Sequence, residues 1–525
     1  MKPNPLRGAD GDQPFSSVTI RASVAAGPRR SRTSFGSVYS VKTLAVLSWL
    51  LSVAFASAAT ISLAGDFSAV DQYLNDCLQK NRVPGIAIAV VEGDKITYLK
   101  GYGIGDPSMR PVTPQTPFLL GSTSKSFTAL AVLQLVEQGK LELDAPVRKY
   151  LPWFSVGDGA GGMNASDRIS LRQLLYHTSG IPNPTGEIAL VRDNRLADAL
   201  EKQVRSCSQA ELARPPGSGM EYANANYQIA GLIVQTVSGT SIEDYISAHI
   251  FRPLEMKHSH CSPEAAARDG VATGYRYWFN HPIPFYRQPY PRGCLPSGFM
   301  ISSAEDLGHW LIAHMNNGLY QGTSVISSNG MATLHRPKLN DYAMGWEVRS
   351  EALEHGGHLS CFGSDLYIDT AHRRGVAVLF NANHGERLYP LYDIAPNIAN
   401  LLADRPLARS SPDKPYQNKL IQALALLTVI ILWFTWSLLR VWRWSATMNP
   451  PPRWLYFWFF LAVPLVVELA TVCALYAAIP VKLSVAVLHA PDLMMLIGFT
   501  GILLVGWGMI RSVWMVVHRF RPGHE

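Results

Sequence analysis

Four long apolar segments, and their positions, constrain what this 525-residue chain can fold into. One lies near the N-terminus at residues 43–56, and three lie close to the C-terminus at about 420–439, 454–479 and 493–514. Each of these three is long enough to cross about 30 Å of hydrocarbon as a helix. The stretch between them has ordinary globular composition and enough residues for a large core. The sequence therefore predicts a globular domain at 59–410 and a membrane domain at 411–525 with three C-terminal transmembrane helices.

The N-terminal apolar segment has the features of an export signal. Basic residues precede it, including Arg29, Arg30 and Lys42, and Ala56-Ser57-Ala58 at its end fits the small-x-small cleavage rule. We expect residues 1–58 to be a signal peptide cleaved after Ala58, or else an uncleaved N-terminal anchor.

The basic residues around the C-terminal segments predict their orientation. Six arginines lie in the connection after the first segment and near the C-terminus: Arg440, Arg443, Arg453, Arg511, Arg519 and Arg521. The second connection contains Lys482 as its only Lys or Arg. Because cytoplasmic loops are enriched in Lys and Arg, we expect the first connection and the C-terminus in the cytoplasm. The globular domain would then lie on the periplasmic side of a bacterial inner membrane.

The net charge of +7 is concentrated at the two ends of the chain. Residues 1–42 carry seven Lys or Arg against two acidic residues, and residues 417–525 carry eight against three. The globular part is therefore slightly acidic, and we expect no nucleic acid partner. The expected partners are a peptide or acyl-amide substrate and membrane lipid contacted through three helices. The sequence leaves the oligomeric state open.

Glu468 and the cysteines allow more than one interpretation. Glu468 lies near the middle of the second apolar segment, so it should face another helix or a wet cavity. There it is either functional or a protonated group hydrogen-bonded between helices. Five of the six cysteines lie in the globular part, where disulfides are permitted but at least one thiol stays unpaired. No cysteine spacing is typical of a metal site, and we expect no metal or other cofactor.

Ser122 and Lys125 open a stretch with helical apolar spacing from Thr128 to Glu137. Residues three apart lie on one face of a helix, so the lysine amine can reach the serine hydroxyl. A lysine can remove the proton of a serine if a desolvated setting keeps part of it neutral. Alone, the pair is more often a capping serine and a solvated lysine than a catalytic pair.

Further candidate residues follow downstream. Tyr222 and Asn224 lie two apart after a turn-rich segment, and their side chains point the same way if the backbone is extended. The two glycines of His355-Gly356-Gly357-His358 favour an extended strand whose backbone lies close to another group. The two histidines also invite a zinc interpretation, but no third ligand is evident. His177 fits either a catalytic role or a structural hydrogen bond.

Several strands are predicted from apolar runs bounded by turn residues. The first two, at 86–91 and 96–102, are joined by a tight turn. Three more are predicted at 342–348, 364–369 and 375–380, with the histidine–glycine segment lying before a strand.

Together these motifs resemble the serine β-lactamase and penicillin-binding-protein-like family, in the branch of class C β-lactamases, D-amino peptidases and related esterases. In order, they are Ser122-x-x-Lys125, Tyr222-x-Asn224 and His355-x-Gly357. The layout is similar to that of the membrane-bound prodrug-activating D-amino peptidases, such as the colibactin-maturing peptidase. The resemblance implies an α/β (α+β) fold, with an antiparallel sheet flanked by helices and an all-helical subdomain.

The resemblance also implies a mechanism and a set of site residues. Ser122 would attack a carbonyl to form an acyl-enzyme. Lys125 and Tyr222 would together act as the general base and would then protonate the leaving amine. The backbone N–H groups of Ser122 and His358 would form the oxyanion hole. The residues implied to contact the substrate are Asn224, His355, Gly356 and Gly357.

We therefore expect a membrane-anchored periplasmic serine peptidase or amidase acting on D-amino-acid-containing or N-acylated peptides. Class C β-lactamases carry Lys-Thr-Gly where this chain has His355-Gly356-Gly357, and a mostly neutral histidine supports a substrate carboxylate less well. The alternatives are a β-lactamase or esterase of the same family, and a β-lactam-sensing receptor. Short predicted cytoplasmic loops count against the receptor.

Overall fold

The structure is a computed structural model, and it describes residues 66–157, 165–187, 193–350, 352–385, 393–407, 414–445, 458, 462–477 and 483–519. All of these residues belong to one compact unit of the chain. The predicted signal peptide or anchor at 1–58 lies outside the described residues.

A six-stranded sheet, antiparallel throughout, is the centre of the globular part. The strands of the chain are β1 (Gly85–Glu92), β2 (Lys95–Gly103), β3 (Phe118–Leu119), β4 (Tyr275–Trp278), β5 (His281–Pro284), β6 (Ile301–Ser302), β7 (Leu319–Tyr320), β8 (Thr323–Ser324), β9 (Glu347–Arg349), β10 (Ala352–His358), β11 (Gly363–Asp369), β12 (Arg374–Phe380) and β13 (Ala382–Asn383). The large sheet has the order β2-β1-β12-β11-β10-β9. The N-terminal hairpin therefore pairs with β12 near the end of the globular part, so that both ends of this part contribute strands to one sheet.

Helices cover both faces of this sheet. They are α1 (Ser68–Asn81), α2 (Ser124–Glu137), α3 (Leu171–Leu175), α4 (Ala199–Ser206), α5 (Asn224–Ser238), α6 (Ile242–Ile246), α7 (Pro263–Arg268), α8 (Leu295–Gly298), α9 (Ala304–Met315), α10 (Ser328–His335), α11 (Ile394–Leu401), α12 (Lys414–Ser445), α13 (Val463–Ala477), α14 (Leu483–His489) and α15 (Pro491–Arg519). Helices α2 to α7 all lie in the segment between β3 and β4. The antiparallel sheet flanked by helices, expected from the sequence, is confirmed.

Alternate residues of β1 face two different apolar cores. Ile86, Ile88 and Val90 pack with residues of α1 and α11, whereas Ala87 and Ala89 belong to the larger core shared with α2 and α9. Side chains alternate between the two faces of a strand, and here both faces are covered. This explains why the strand reads as a continuous apolar run rather than as an apolar and polar alternation.

The strand predictions are mostly confirmed, with two exceptions. The strand predicted at 342–348 is wrong over most of its length, because Gly345 has φ +78° and only Glu347–Arg349 is a strand. The segment from His355 to His358 is itself strand, as its two glycines favour, and it forms the end of β10 rather than a segment outside the strands.

Two described helices, not the predicted three, are long and apolar enough to cross a membrane. These segments are Tyr416–Leu439 and Pro491–Trp514, with mean hydropathies of 2.0 and 2.1. The span predicted at 454–479 contains α13, whose 15 residues are too few for about 30 Å of hydrocarbon. Pro464 lies in the first turn of α13, as expected where a helix begins. The remaining residues of that span, apart from 458 and 462, lie outside the described ranges.

Glu468 and the cysteines can now be placed. Glu468 of α13 is buried and accepts a hydrogen bond at 3.1 Å from Nη2 of Arg511 in α15, which is also buried. It therefore faces another helix, as expected, and its partner is an arginine. All six cysteines are free thiols, of which Cys473 is exposed and five are buried.

Candidate active site

Ser122 lies in one turn of 3-10 helix, Gly121–Thr123, that runs directly into α2. Gly121 has φ +60°, a conformation that residues with a side chain rarely adopt. The carbonyl of Leu120, just before this turn, accepts a hydrogen bond at 2.6 Å from Oγ of Ser364 in β11. The turn is therefore tied to the sheet and places Ser122 where the sheet meets the helical part.

Lys125 is fully buried, and its Nζ contacts three oxygen atoms. It lies 3.0 Å from Ser122 Oγ, 2.8 Å from Asn224 Oδ1 and 2.7 Å from the carbonyl oxygen of Ser297. Burial lowers the pKa of Lys125 to about 7, against weaker charge interactions that raise it. A large fraction of this amine is therefore neutral near pH 7, the form that can take the proton of Ser122.

Tyr222 completes a group of three with Ser122 and Lys125. Lys125 Nζ lies 4.9 Å from the centre of the Tyr222 ring. Burial raises the pKa of the Tyr222 phenol well above its usual value, and the nearby Ser122 hydroxyl partly opposes this. The phenol therefore stays protonated near pH 7, so that it can donate or relay a proton while Lys125 is the better base.

Asn224 is the first residue of α5 and lies on the same side as Tyr222. Ala223 between them is extended, with φ −139° and ψ 131°, so the two side chains point the same way as their spacing predicted. The Oδ1 atom of Asn224 accepts a hydrogen bond from Lys125, which leaves the NH₂ group of the amide as the donor end.

His177 lies behind Tyr222. The two ring centroids are 4.2 Å apart, and Nδ1 of His177 accepts hydrogen bonds from Ala223 N–H at 3.3 Å and from Asn226 Nδ2 at 3.0 Å. Burial lowers the pKa of His177 well below its usual value. A neutral, buried ring in this position supports the Tyr222 side chain, which fits the structural interpretation of His177 rather than the catalytic one.

The second half of β10 packs directly against the Ser122 turn. A Cβ atom on Gly357 would lie 1.8 Å from the carbonyl oxygen of Leu120, so only glycine allows this approach. A Cβ atom on Gly121 would lie 2.5 Å from the backbone nitrogen of His358. The glycines at 121 and 357 therefore bring the His358 backbone next to Ser122.

The side chains of His355 and His358 lie three residues apart on the strand and so point to opposite faces. His355 is buried, with Nε2 3.2 Å from the Tyr342 hydroxyl, whereas His358 is exposed. Burial and the charge of Lys125 lower the pKa of His355 to about 4, so this ring is neutral near pH 7. Within the described residues, no group of three or more His, Cys, Asp or Glu side chains could hold a metal ion.

The structure thus brings Ser122, Lys125, Tyr222 and Asn224 together in one cluster, with the backbone of β10 beside the Ser122 turn. Two contributors were missed by the sequence analysis. The Ser297 carbonyl that holds Lys125 is a main-chain group, which carries no side-chain signal in a sequence. Tyr342, the partner of His355, belongs to no recognisable motif, and only the fold brings it close.

Comparisons with known proteins show the family and the fold of the chain. The sequence profile described as Beta-lactamase matches residues 70–395. The chain is 31% identical over 381 residues to Protein flp of Staphylococcus aureus (strain MW2), covering 71% of this chain and 74% of that protein. It is similar, with TM-score 0.58 and 27% identity, to the octameric penicillin-binding protein homologue from Pyrococcus abyssi, covering 68% of this chain and 82% of that one. A class C β-lactamase shares the fold, with TM-score 0.54 and 22% identity over 64% of this chain and 96% of that one.

Proposed function

Because the chain belongs to the β-lactamase family of serine hydrolases, we propose that it is a membrane-anchored amidase or peptidase that works through an acyl-enzyme on Ser122. The observation that carries this proposal is the buried Lys125, with its Nζ 3.0 Å from Ser122 Oγ and a pKa lowered to about 7. A hydroxyl beside a partly neutral, desolvated amine is an activated nucleophile.

In the first step, the Ser122 oxygen attacks the carbonyl carbon of the substrate as its proton passes to Lys125 Nζ. The carbonyl oxygen becomes an oxyanion, for which the backbone N–H groups of Ser122 and His358 are the proposed donors. The carbon–nitrogen bond then breaks, and the leaving amine takes a proton from Lys125 through the Tyr222 phenol. This relay uses the phenol in its protonated form, which its raised pKa maintains.

In the second step, water attacks the ester on Ser122 and gives its proton to Lys125, and Ser122 is released as the hydroxyl. The amide group of Asn224 is positioned to donate to a carbonyl of the substrate, since its oxygen is held by Lys125. His177 takes no part in these transfers but keeps Tyr222 in place through ring contact.

The substrate class is inferred from the absence of a positive charge on His355 near the site. The neutral His355 offers no cation for a substrate carboxylate of the kind a β-lactam carries. We therefore favour amide bonds in N-acylated or D-amino-acid-containing peptides over β-lactams.

The C-terminal helices are proposed to hold the enzyme in a membrane. Only 6% of an 18-residue apolar stretch within Tyr416–Leu439, and 33% of one within Pro491–Trp514, is buried within the protein. Exposing this much apolar surface to water is unfavourable, whereas contact with lipid is not. The arginines near the ends of these helices favour a cytoplasmic C-terminus and a periplasmic catalytic domain in the bacterial inner membrane.

Hydrolysis of three substrate types by the purified full-length protein tests the proposed reaction. These are an N-acyl-D-amino-acid amide, a short-chain p-nitrophenyl ester and nitrocefin. We expect the amide and ester to be hydrolysed with a larger kcat/KM than nitrocefin. Ser122→Ala should remove all three activities and leave the melting temperature within a few degrees of the wild type, because a half-buried hydroxyl contributes little to stability.

Other outcomes of the same experiment identify the alternatives. Fastest turnover of nitrocefin would favour a β-lactamase, and turnover of the ester alone would favour an esterase. Stoichiometric labelling by a β-lactam without turnover would favour a receptor. Full activity in Ser122→Ala would overturn the proposed function.

A further inference from the structure

A buried carboxylate, Asp492 in the first turn of α15, joins this helix to the globular part. His384 Nε2 donates a hydrogen bond to Oδ1 at 2.9 Å, and the backbone N–H of Phe279 donates to Oδ2 at 3.0 Å. The hydroxyl of Tyr416, near the start of α12, donates to Oδ2 at 2.5 Å. The side chains of His384 and Asp492 are both fully shielded from solvent. Hydrogen bonds to a buried carboxylate are strong and directional, so this junction has one preferred geometry.

The residue before His384 links this junction to the loop after β10. Asn383 is buried, and its Nδ2 donates to the Leu359 carbonyl at 2.7 Å and to the Phe362 carbonyl at 3.3 Å. Its Oδ1 accepts the backbone N–H of His384 at 2.9 Å. Leu359 directly follows His358, the proposed second donor of the oxyanion hole. Each link from Asp492 to His358 is therefore a hydrogen bond or a covalent bond.

A second set of contacts holds the same region of the globular part against α14. The backbone N–H of Gly385 donates to the His489 carbonyl at 2.8 Å. Arg276 in β4, the strand that pairs with Asn383, donates from Nη1 to the Leu488 carbonyl at 3.4 Å. The segment at 383–385 is thus fixed on both sides of His384.

We propose that Asp492 and His384 are positioning residues, through which the C-terminal helices hold the β10–β11 loop and set the position of the His358 N–H. This inference rests on the proposed function and extends it, because the helices then help to build the oxyanion hole as well as to anchor the enzyme. A displaced donor mainly affects the transition state, where negative charge develops on the substrate oxygen.

Two variants of His384 in the full-length protein test this. His384→Ala removes the donor to Asp492, whereas His384→Gln keeps an N–H group on a side chain of similar reach. The readouts are kcat and KM for p-nitrophenyl acetate and the Kd of phenylboronic acid. The Ser122 oxygen adds to boron as its proton passes to Lys125, and the anionic boronate that forms resembles the tetrahedral intermediate.

We expect His384→Ala to lower kcat about tenfold and to weaken boronate binding by a similar factor, with KM within about twofold, since removing an oxyanion donor outright costs about 100-fold or more. His384→Gln should recover most of the loss. Tyr416→Phe removes a different donor to Asp492 without leaving a cavity, and should lower kcat about two- to threefold. If His384→Ala does not fold, the kcat of Tyr416→Phe tests the positioning role instead.

Asn383→Ala breaks the next link within the globular part and should give a loss of the same kind. The double variant with His384→Ala should be no worse than the more impaired single variant by more than about twofold, because both changes act through one path. Glu468→Gln is the matched control, since it weakens the buried pair with Arg511 elsewhere in the C-terminal helices. It should lower the melting temperature but leave kcat and the boronate Kd unchanged.

Wild-type kcat and boronate affinity in a folded His384→Ala protein, or in Tyr416→Phe, would overturn the positioning role. Multiplicative losses in the double variant would also overturn it. A wild-type protein that neither binds phenylboronic acid nor hydrolyses any probe would instead overturn the proposed function, and this inference with it.

Discussion

At the scale of single residues, the site depends on a lysine placed where it can lose its charge. Lys125 is surrounded by protein, and its Nζ lies within hydrogen-bond distance of three oxygens. An exposed lysine with a pKa near 10.4 would be almost fully protonated at pH 7 and would be a poor base. In the proposed mechanism, burial therefore turns an ordinary Ser-x-x-Lys spacing into an activated nucleophile.

The pH dependence of acylation follows from this lowered pKa. Below about pH 7, Lys125 is increasingly protonated and cannot accept the proton of Ser122, so the rate should fall with decreasing pH. We expect an acid limb in kcat/KM for p-nitrophenyl acetate with an apparent pKa near 7, measured between pH 5 and 9. Lys125→Arg should abolish activity at every pH, because arginine stays protonated. A rate that is constant from pH 5 to 7 would rule out Lys125 as the base.

At the scale of secondary-structure elements, the close approach of β10 to the Ser122 turn forms one side of the site. This approach requires a residue without a side chain at 357, where a Cβ atom would overlap the Leu120 carbonyl oxygen. The same strand carries His358, so any shift of β10 also moves the proposed oxyanion donor.

Substitution of Gly357 tests the role of this approach. Gly357→Ala should push β10 away from the turn and lower kcat by about 100-fold or more, the typical effect of losing one oxyanion donor. Gly498→Ala is a suitable control, because a Cβ atom there meets nothing within 4 Å, and it should leave kcat unchanged. Kinetics of both purified variants provide the measurement, and equal activities would contradict the packing argument.

The elements also show how far sequence reasoning reaches. The hairpin of β1 and β2 and the helix that follows Ser122 were predictable, because local turn chemistry and apolar spacing determine them. The strand predicted at 342–348 failed at Gly345, which has φ +78° and lies so close to Ser126, far away in sequence, that a Cβ atom would be 2.8 Å from the Ser126 backbone. The Ser297 carbonyl beside Lys125 and the Tyr342 hydroxyl beside His355 could not be predicted, because a main-chain carbonyl and an isolated tyrosine have no sequence pattern.

At the scale of the whole molecule, the C-terminal helices present an apolar surface outward. Side chains such as Ile421, Val429 and Leu432 in α12 are more than 60% exposed. The span predicted at 454–479 is not supported by α13, which is too short to cross a membrane and pairs Glu468 with Arg511 of α15. A chain of this kind is expected to need lipid or detergent for solubility.

Fractionation of bacterial cells expressing the full-length chain tests this expectation. The protein should remain in the membrane pellet after an alkaline carbonate wash and be released by detergent, because apolar helices are held by lipid rather than by charge. Protease added to spheroplasts should digest the globular domain and spare a C-terminal tag. Release by carbonate would contradict membrane insertion, and a protected globular domain would contradict the proposed orientation.

Mass spectrometry of the intact protein, quenched within the first turnovers of p-nitrophenyl acetate, tests Lys125-assisted acylation of Ser122 most directly. The wild-type protein should gain one acetyl group, located by peptide mapping on Ser122, together with a burst of p-nitrophenol. Lys125→Ala should show neither within the same time. Steady hydrolysis with no acetyl group on Ser122, or with the group on another residue, would contradict the mechanism.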